Sequence, residues 1–256
     1  MKTLLIIDAS ARITTNSVPA FNSISKLIAA SFIEKWRATN DEDNIIHRDV
    51  GVSPPDFINE DWIAAVFTPD DTKTDEQKAL LSLSDTLISE LEQADIIVMS
   101  SSMYNYGMPA ALKAWFDQVI RINKTFSFDL ARGDFPLEPI MSGKILVLIT
   151  SSGEFGFGIG GIREKLNHLG PHVQTLSHYL GVETFHEINA EYQEFNDDRH
   201  RDSVASAHKA AEELALKLAN SSETGSHQTA PTTTLSHTNP QPDHGYPPIL
   251  ARKPCM

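Results

Sequence analysis

Five short apolar runs, each followed by a helix-patterned segment, constrain this chain more than any other feature. The runs are Lys2–Asp8 (KTLLIID), Asn44–Asp49, Asp95–Met99 (DIIVM), Lys144–Thr150 (KILVLIT) and Val182–Asn189. The most apolar of them carry hydrophobic side chains on both faces instead of alternating. Strands of that kind belong to parallel sheets covered by helices on each side.

The segments between the runs have helical spacing. Ile24–Trp36 places Ile24, Leu27, Ile28, Phe32 and Trp36 on one stripe. Phe57–Phe67 is broken by Pro69-Asp70-Asp71, and Gln77–Gln93 is a long helical pattern. Pro109–Arg121 opens with Pro in a first turn and carries Leu112, Trp115, Phe116, Val119 and Ile120 on one face. Ile162–Leu180 reads as a helix interrupted at Gly170-Pro171, and Asp197–Ala219 as a last helix. The alternation predicts an α/β, doubly wound, flavodoxin-like sheet of five parallel strands, order 2-1-3-4-5, with helices on both faces.

Composition removes several functional classes. Lys and Arg number 21 against 34 Asp and Glu, a formal charge of −13, which argues against a nucleic-acid binder. No apolar run approaches the roughly 20 residues of a membrane span. The N-terminal run is stopped by Asp8 after four consecutive apolar residues, short of the roughly 7–15 of a signal-peptide core. The single cysteine, Cys255, excludes a disulfide framework and a Cys-rich zinc site, so a reducing cytoplasm is the expected setting. Residues 1–220 are expected to form the folded domain. Ser221–Met256, with ten Ser/Thr and six Pro, is expected to be a disordered tail.

In an open parallel sheet, ligands sit beyond the carboxyl ends of the strands. Three loops there are unusual. After the first run, Ser10, Ser17, Ser23 and Ser25 offer hydroxyls, and Arg12 a charge, around the start of a helix. Such a helix start can seat a phosphate. It can equally be a capping arrangement by Ser23 or Ser25. After the third run, Ser100–Met108 (SSSMYNYGM) places two tyrosines, an Asn and a Gly at a strand mouth, which suits a flat heteroaromatic ligand.

After the fourth run, Gly156, Gly158 and Gly161 spell G-x-G-x-x-G. Ser151–Phe155 separate them from the strand, and the unit is not the first. A dinucleotide fingerprint needs the opposite on both counts, so a mobile glycine-rich loop near the ligand is the expected reading. His168, His172, His178 and His186 have no partner at metal-ligand spacing, and no metal is expected. There is no Gly-x-Ser-x-Gly elbow of a hydrolase.

Leu87–Phe128 resembles the FMN-dependent NADH azoreductase and NAD(P)H quinone reductase family. The resemblance rests on Ser102-Met103-Tyr104-Asn105-Tyr106-Gly107, then Pro109-Ala110-Ala111-Leu112-Lys113-Ala114-Trp115-Phe116-Asp117, then Thr125-Phe126-Ser127-Phe128. It extends over about residues 1–220 through Ser10-Ala11-Arg12, Ser23-Ile24-Ser25 and Phe32…Trp36.

The resemblance implies bound FMN, NAD(P)H as co-substrate and a homodimer. It implies that Ser10, Arg12, Ser23, Ile24 and Ser25 hold the phosphate, with Ser17 as an alternative. Met103, Tyr104, Asn105 and Tyr106 would meet the ring and ribityl chain, with the Gly107 backbone near the reactive edge. Ser151, Ser152 and Gly153 would border the pyrimidine side. Phe126 and Phe128 would line the substrate side across the dimer interface. No protein nucleophile or general acid is implied.

Three departures stand out. Ile13–Asn22 separate the first Ser/Arg pair from the Ser-x-Ser. The usual Ser-Arg-Gly-Gly is Ser151-Ser152-Gly153-Glu154. Phe128 replaces a Tyr. The implied activity is two-electron, ping-pong reduction of quinones and azo compounds. The alternatives are a flavodoxin-like electron carrier docking protein partners, or a nicotinamide-only reductase using Gly156–Gly161.

Overall fold

The computed structural model describes residues 1–220; the expected tail, 221–256, lies outside the described residues. The elements run β1 (Thr3–Asp8), α1 (Ile24–Arg37), β2 (Asn44–Asp49), α2 (Glu60–Phe67), α3 (Asp75–Gln93), β3 (Ile96–Ser102), α4 (Ala110–Val119), β4 (Phe126–Phe128), β5 (Leu137–Pro139), β6 (Lys144–Ser151), α5 (Gly170–Ser177), β7 (Val182–Ala190) and α6 (Asp198–Asn220). Five strands form one parallel sheet in the order β2-β1-β3-β6-β7, which is the expected 2-1-3-4-5 winding.

The strands bury both faces because side chains alternate across the pleat. Leu5, Ile7, Ile97, Met99, Leu146 and Leu148 pack under α3, α4 and α5. Leu4, Ile6, Ile96, Val98, Val147 and Ile149 pack under α1 and α6. On α1, Phe32 and Trp36 are fully buried and stack with centroids 6.2 Å apart. Ala207, Ala211 and Ala215 form a small-residue stripe on α6 and admit α1 closely. Truncating Phe32 to Ala would cost about 3–5 kcal/mol on the usual scale for buried aromatics.

Two expectations are corrected. The segment 162–180 is not one interrupted helix. Pro171 has no N–H to donate and fits only a first turn, so α5 begins at Gly170. Residues 164–166 make a single 3₁₀ turn before it. The second is the β4–β5 hairpin, an antiparallel pair outside the five runs read as strands. Its strands are three residues long and Pro139 lies within one, so no periodicity announces it. Buried Arg121 anchors its base: Nη1 donates to Ser84 Oγ at 2.8 Å, Nη2 to Asp85 Oδ1 at 2.7 Å, and its backbone N–H to Thr125 Oγ1 at 2.8 Å.

Gly51, just past β2, brackets the β1 loop. Its N–H donates to Asp8 O at 3.0 Å. A Cβ placed on it would stand 2.0 Å from the carbonyl oxygen of Ser10, which is backbone and cannot swing aside. Gly51→Ala is therefore expected to cost about 1–3 kcal/mol through overpacking. The urea midpoint should fall with the slope m unchanged; an unaltered midpoint would contradict the packing argument.

Candidate functional site

The carboxyl ends of β1, β3 and β6 lie side by side. Asp8 pairs with Ser100 and Ser102 with Ser151 in the parallel register. A seam of hydroxyls joins them: Ser102 Oγ lies 3.2 Å from Ser10 Oγ and 3.2 Å from Ser151 Oγ. Ser10 and Ser151 are buried, so the seam forms the floor on which the loops rest. Below it, Ser100 Oγ donates to Asp8 Oδ1 at 2.5 Å, and His47 Nε2 lies 2.8 Å from Asp8 Oδ2.

The β1 loop solves the problem posed by its ten extra residues. Asn22 Oδ1 accepts from Asn16 N at 2.8 Å, and Asn16 Nδ2 donates to the carbonyls of Ile13 and Phe21. Ser23 N–H then donates to Ile13 O at 2.9 Å. The insertion closes on itself, and Arg12, Asn22, Ser23 and Ile24 line one cavity of about 360 Å³.

Ser23 is the N-cap of α1, its hydroxyl accepting from Lys26 N. The capping reading is therefore the one observed for Ser23. Among the described residues, the N–H groups of Ile24 and Ser25 and the Arg12 guanidinium have no protein partner. No acidic residue sits in the first turn of α1. A long helix start with free N–H groups and a cation beside it has the chemistry to take an anion.

The β3 loop is a tight hairpin. Tyr104 and Gly107 exchange both backbone hydrogen bonds at 3.0 Å. Asn105 (φ 49°) and Tyr106 (φ 67°) between them are left-handed, as a type I′ turn requires. Asn tolerates that region; Tyr does not, at a cost of about 1–3 kcal/mol. Tyr106 is held there from three sides. Its hydroxyl donates to Glu154 Oε2 at 3.0 Å, its carbonyl accepts from His168 N at 2.9 Å, and its ring packs on Phe157 at 6.2 Å. The bond to Glu154 raises the Tyr106 hydroxyl above its ordinary value, so it remains a donor. Tyr104 reaches the other way, its hydroxyl accepting from Ala11 N at 3.2 Å.

A second cavity of about 400 Å³ continues the first, sharing Met103, Gly153 and Glu194 with it. Asn105, Tyr106, Ser152, Glu154 and Phe157 complete its wall. Tyr104 and Ser151 line the first half. Among the described residues, the N–H groups of Asn105 and Tyr106 are unspent.

Several anticipated residues lie elsewhere. Ser10 and Ser25 are buried beneath the cavity, Ser25 Oγ standing 3.4 Å from Ser23 Oγ. Ser17 is exposed on the insertion, outside both linings. Gly107 donates its N–H to Tyr104 O and lines neither cavity. A Cβ there would meet only His168 O, at 4.0 Å. Phe126 and Phe128 sit on the β4–β5 hairpin, outside both linings, with Phe126 packed edge-on against Tyr179.

The glycine-rich loop is not left loose. Gly156 and Phe157 both donate to Glu191 Oε1, at 3.0 and 3.2 Å, and Arg163 N donates to Gly156 O at 2.8 Å. A carboxylate of the chain occupies the amides that a fingerprint would offer to a diphosphate.

Asn22, Phe157, Gln193 and Glu194 line the cleft without having been singled out. The available signal for Gln193 and Glu194 was the polar Glu191–Asn196 segment at the carboxyl end of β7, next to β6. Its N–H groups pair with the β6 loop: Tyr192 to Glu154 O, Gln193 to Ser152 O and Glu194 to Gly153 O.

By sheet order and by the edge on which its loops open, this is a flavodoxin-like protein. A family model described as a flavodoxin-like fold matches residues 2–215. FMN-dependent NADH:quinone oxidoreductase 2 of Colwellia psychrerythraea is 67% identical over 218 residues, spanning 85% of this chain and 100% of that one. The protein of the same name from Idiomarina loihiensis is 65% identical over 218 residues, covering 85% and 91%. The chain belongs to this family of oxidoreductases. The FMN-dependent NADH-azoreductase of Bacillus anthracis, solved in complex with FMN, shares the fold with TM-score 0.74 at 18% identity, over 86% of this chain and 100% of that one.

The Asp8 contact also makes a pH prediction. The hydrogen bond to Asp8 raises the His47 pKa; burial opposes it, and the charges of Asp8 and Asp49 add to the rise. A folded value above the unfolded one, about 6.5, means that the contribution is complete below that pH. It is lost as pH rises through the raised value. The thermal midpoint should therefore decline above about pH 6.5, and His47→Gln should flatten that part of the curve. An unchanged slope in the variant would exclude the pair as its source.

Proposed function

We propose that the chain is an FMN-dependent NAD(P)H oxidoreductase that reduces quinones and azo compounds, two electrons at a time, in ping-pong turnover. One observation carries the reading. A continuous cleft has an anion seat at one end and, at the other, a slot walled by Met103, Asn105, Tyr106 and Phe157. Each half has the size of a small-molecule site.

The residues fit FMN by their chemistry. The free N–H groups of Ile24 and Ser25, the Ser23 hydroxyl and Arg12 match a phosphate dianion. Ser10 and Ser25 support that seat from below. Met103 and Tyr104 offer apolar bodies to a ring. The unspent N–H groups of Asn105 and Tyr106 point to a site where negative charge is stabilised. Ser151, Ser152 and Gly153 form the opposite wall. Bound FMN supplies the hydride acceptor and two-electron donor; the chain supplies position and electrostatics.

NAD(P)H and the acceptor would use the same slot in turn, which is why the order is ping-pong. Names of relatives support quinone reduction with NADH, and a structural neighbour is named an azoreductase.

The homodimer reading rests on the β4–β5 hairpin. Phe128, Leu130, Phe135, Leu137 and Ile140 stand exposed along it, an apolar arm that no other described residue covers. A second copy packed there would bring Phe126 and Phe128 toward the acceptor side. Residues 1–220 would carry the whole activity, and a chain with one cysteine suits the cytoplasm.

Purified protein supplied with FMN should turn yellow, be bleached by NADH and recover colour with a small quinone. Steady NADH consumption separates this reading from an electron carrier. Arg12→Ala should weaken FMN about tenfold, as loss of a charge-assisted contact does. Asn105→Ala should weaken it as well, and Gly107→Ala should not. Titration of flavin fluorescence measures all three; unchanged affinity in Arg12→Ala and Asn105→Ala would dismiss the loop assignments.

A further inference from the structure

Two residues lining the ring half of the cleft carry charge, Glu154 and Glu194, and their pairing is unequal. Glu154 is compensated. Its Oε1 accepts from Arg163 Nε at 3.0 Å and Nη2 at 2.9 Å, while Oε2 accepts from Tyr106. Arg163 is committed to that pair, to Phe155 O and to the face of the Phe155 ring. Glu194 has no ion pair and no side-chain hydrogen bond among the described residues. The nearest other cation on its own segment, Arg199, is held by Asp197 and stacked on Tyr192 and Phe195. Arg12 lines only the anion-seat half.

The Glu194 carboxylate is also placed by design of its loop. Three backbone hydrogen bonds fasten residues 192–194 to residues 152–154. Tyr192 (φ 67°) and Asn196 (φ 48°), both left-handed, turn the chain on either side. Gly153 leaves the room that the carboxylate fills: a Cβ there would be 2.7 Å from Glu194 Oε1. The charge reaches the neighbouring wall, where it adds to the upward shift of the Tyr106 hydroxyl.

We infer that Glu194 selects acceptors by charge: neutral or cationic quinones and azo compounds enter the ring half readily, and sulfonated or carboxylated ones of the same ring system are disfavoured. The inference rests on the cleft being the flavin and acceptor site. Within it, one uncompensated negative charge at the meeting point of both halves meets every incoming acceptor. A like charge brought beside it is repelled, and the repulsion is eroded by salt because the group is exposed.

The test uses the full chain loaded with FMN. Two non-reducible probes, 2-naphthalenesulfonate and 2-naphthamide, share a ring and differ in charge. Their dissociation constants are read from the perturbation of the flavin absorbance at equilibrium. In Glu194→Gln the sulfonate should tighten roughly five- to tenfold more than the amide at low ionic strength, and the difference should shrink as salt is raised. Glu194→Asp, which keeps the charge, should retain most of the wild-type discrimination. The kcat/KM ratio for 1,4-naphthoquinone over its 2-sulfonate should fall in Glu194→Gln by a similar factor. Equal changes for both probes, or no change, overturn the inference while leaving the flavin reading intact. A wild-type chain that takes up no FMN overturns both.

Discussion

Everything in this cleft depends on the parallel pairing of β3 between β1 and β6. Parallel strands point their carboxyl ends the same way, and their crossovers must return over the faces of the sheet. Three loops are therefore delivered to one edge at one level, with Asp8 opposite Ser100 and Ser102 opposite Ser151. The hydroxyl seam of Ser10, Ser102 and Ser151 converts that register into a polar floor. A slip of one residue would turn these serines into the apolar layers and bring Met99 or Thr150 to the edge.

Above the floor, strain and charge are balanced locally. Tyr106 occupies a backbone region that disfavours it, and Glu154, His168 and Phe157 hold it there. Glu154 in turn needs Arg163, so the β3 loop and the β6 loop stand or fall together. The glycine-rich segment follows the same logic, its amides bound to Glu191. Carboxylates thus do two different jobs around the cleft. Glu154 and Glu191 are structural ligands of the loops; Glu194 faces the open volume with no side-chain partner among the described residues.

Much of this was legible in the residues. Runs such as LLII and IIVM are long enough to declare buried strands, and their alternation with helical patterns dictates the winding. The β3 loop was legible because tyrosines and an Asn at a strand mouth have no good core reading. What escaped has physical reasons. The β4–β5 strands are too short to show a period. The left-handed positions of the β3 loop fall on Asn105 and Tyr106, and the neighbouring glycine does not mark them. Pro171 sits in the first turn of a helix, where its missing N–H is no loss, although in sequence it reads as a break. Glu194 came from a loop whose relation to the β6 loop exists only through long-range pairing.

The stapled insertion between Ile13 and Asn22 has a consequence of another kind. Its ends are fixed by Ser23 on Ile13 and by the Asn16–Asn22 contact, so the intervening chain is a closed excursion. Lengthening such a loop adds entropy cost only logarithmically. Residues between the staples are thus insulated from the chemistry. They form a stretch of surface where length and composition can drift, or a new recognition element can be grafted, while Arg12 and Ser23 stay in place.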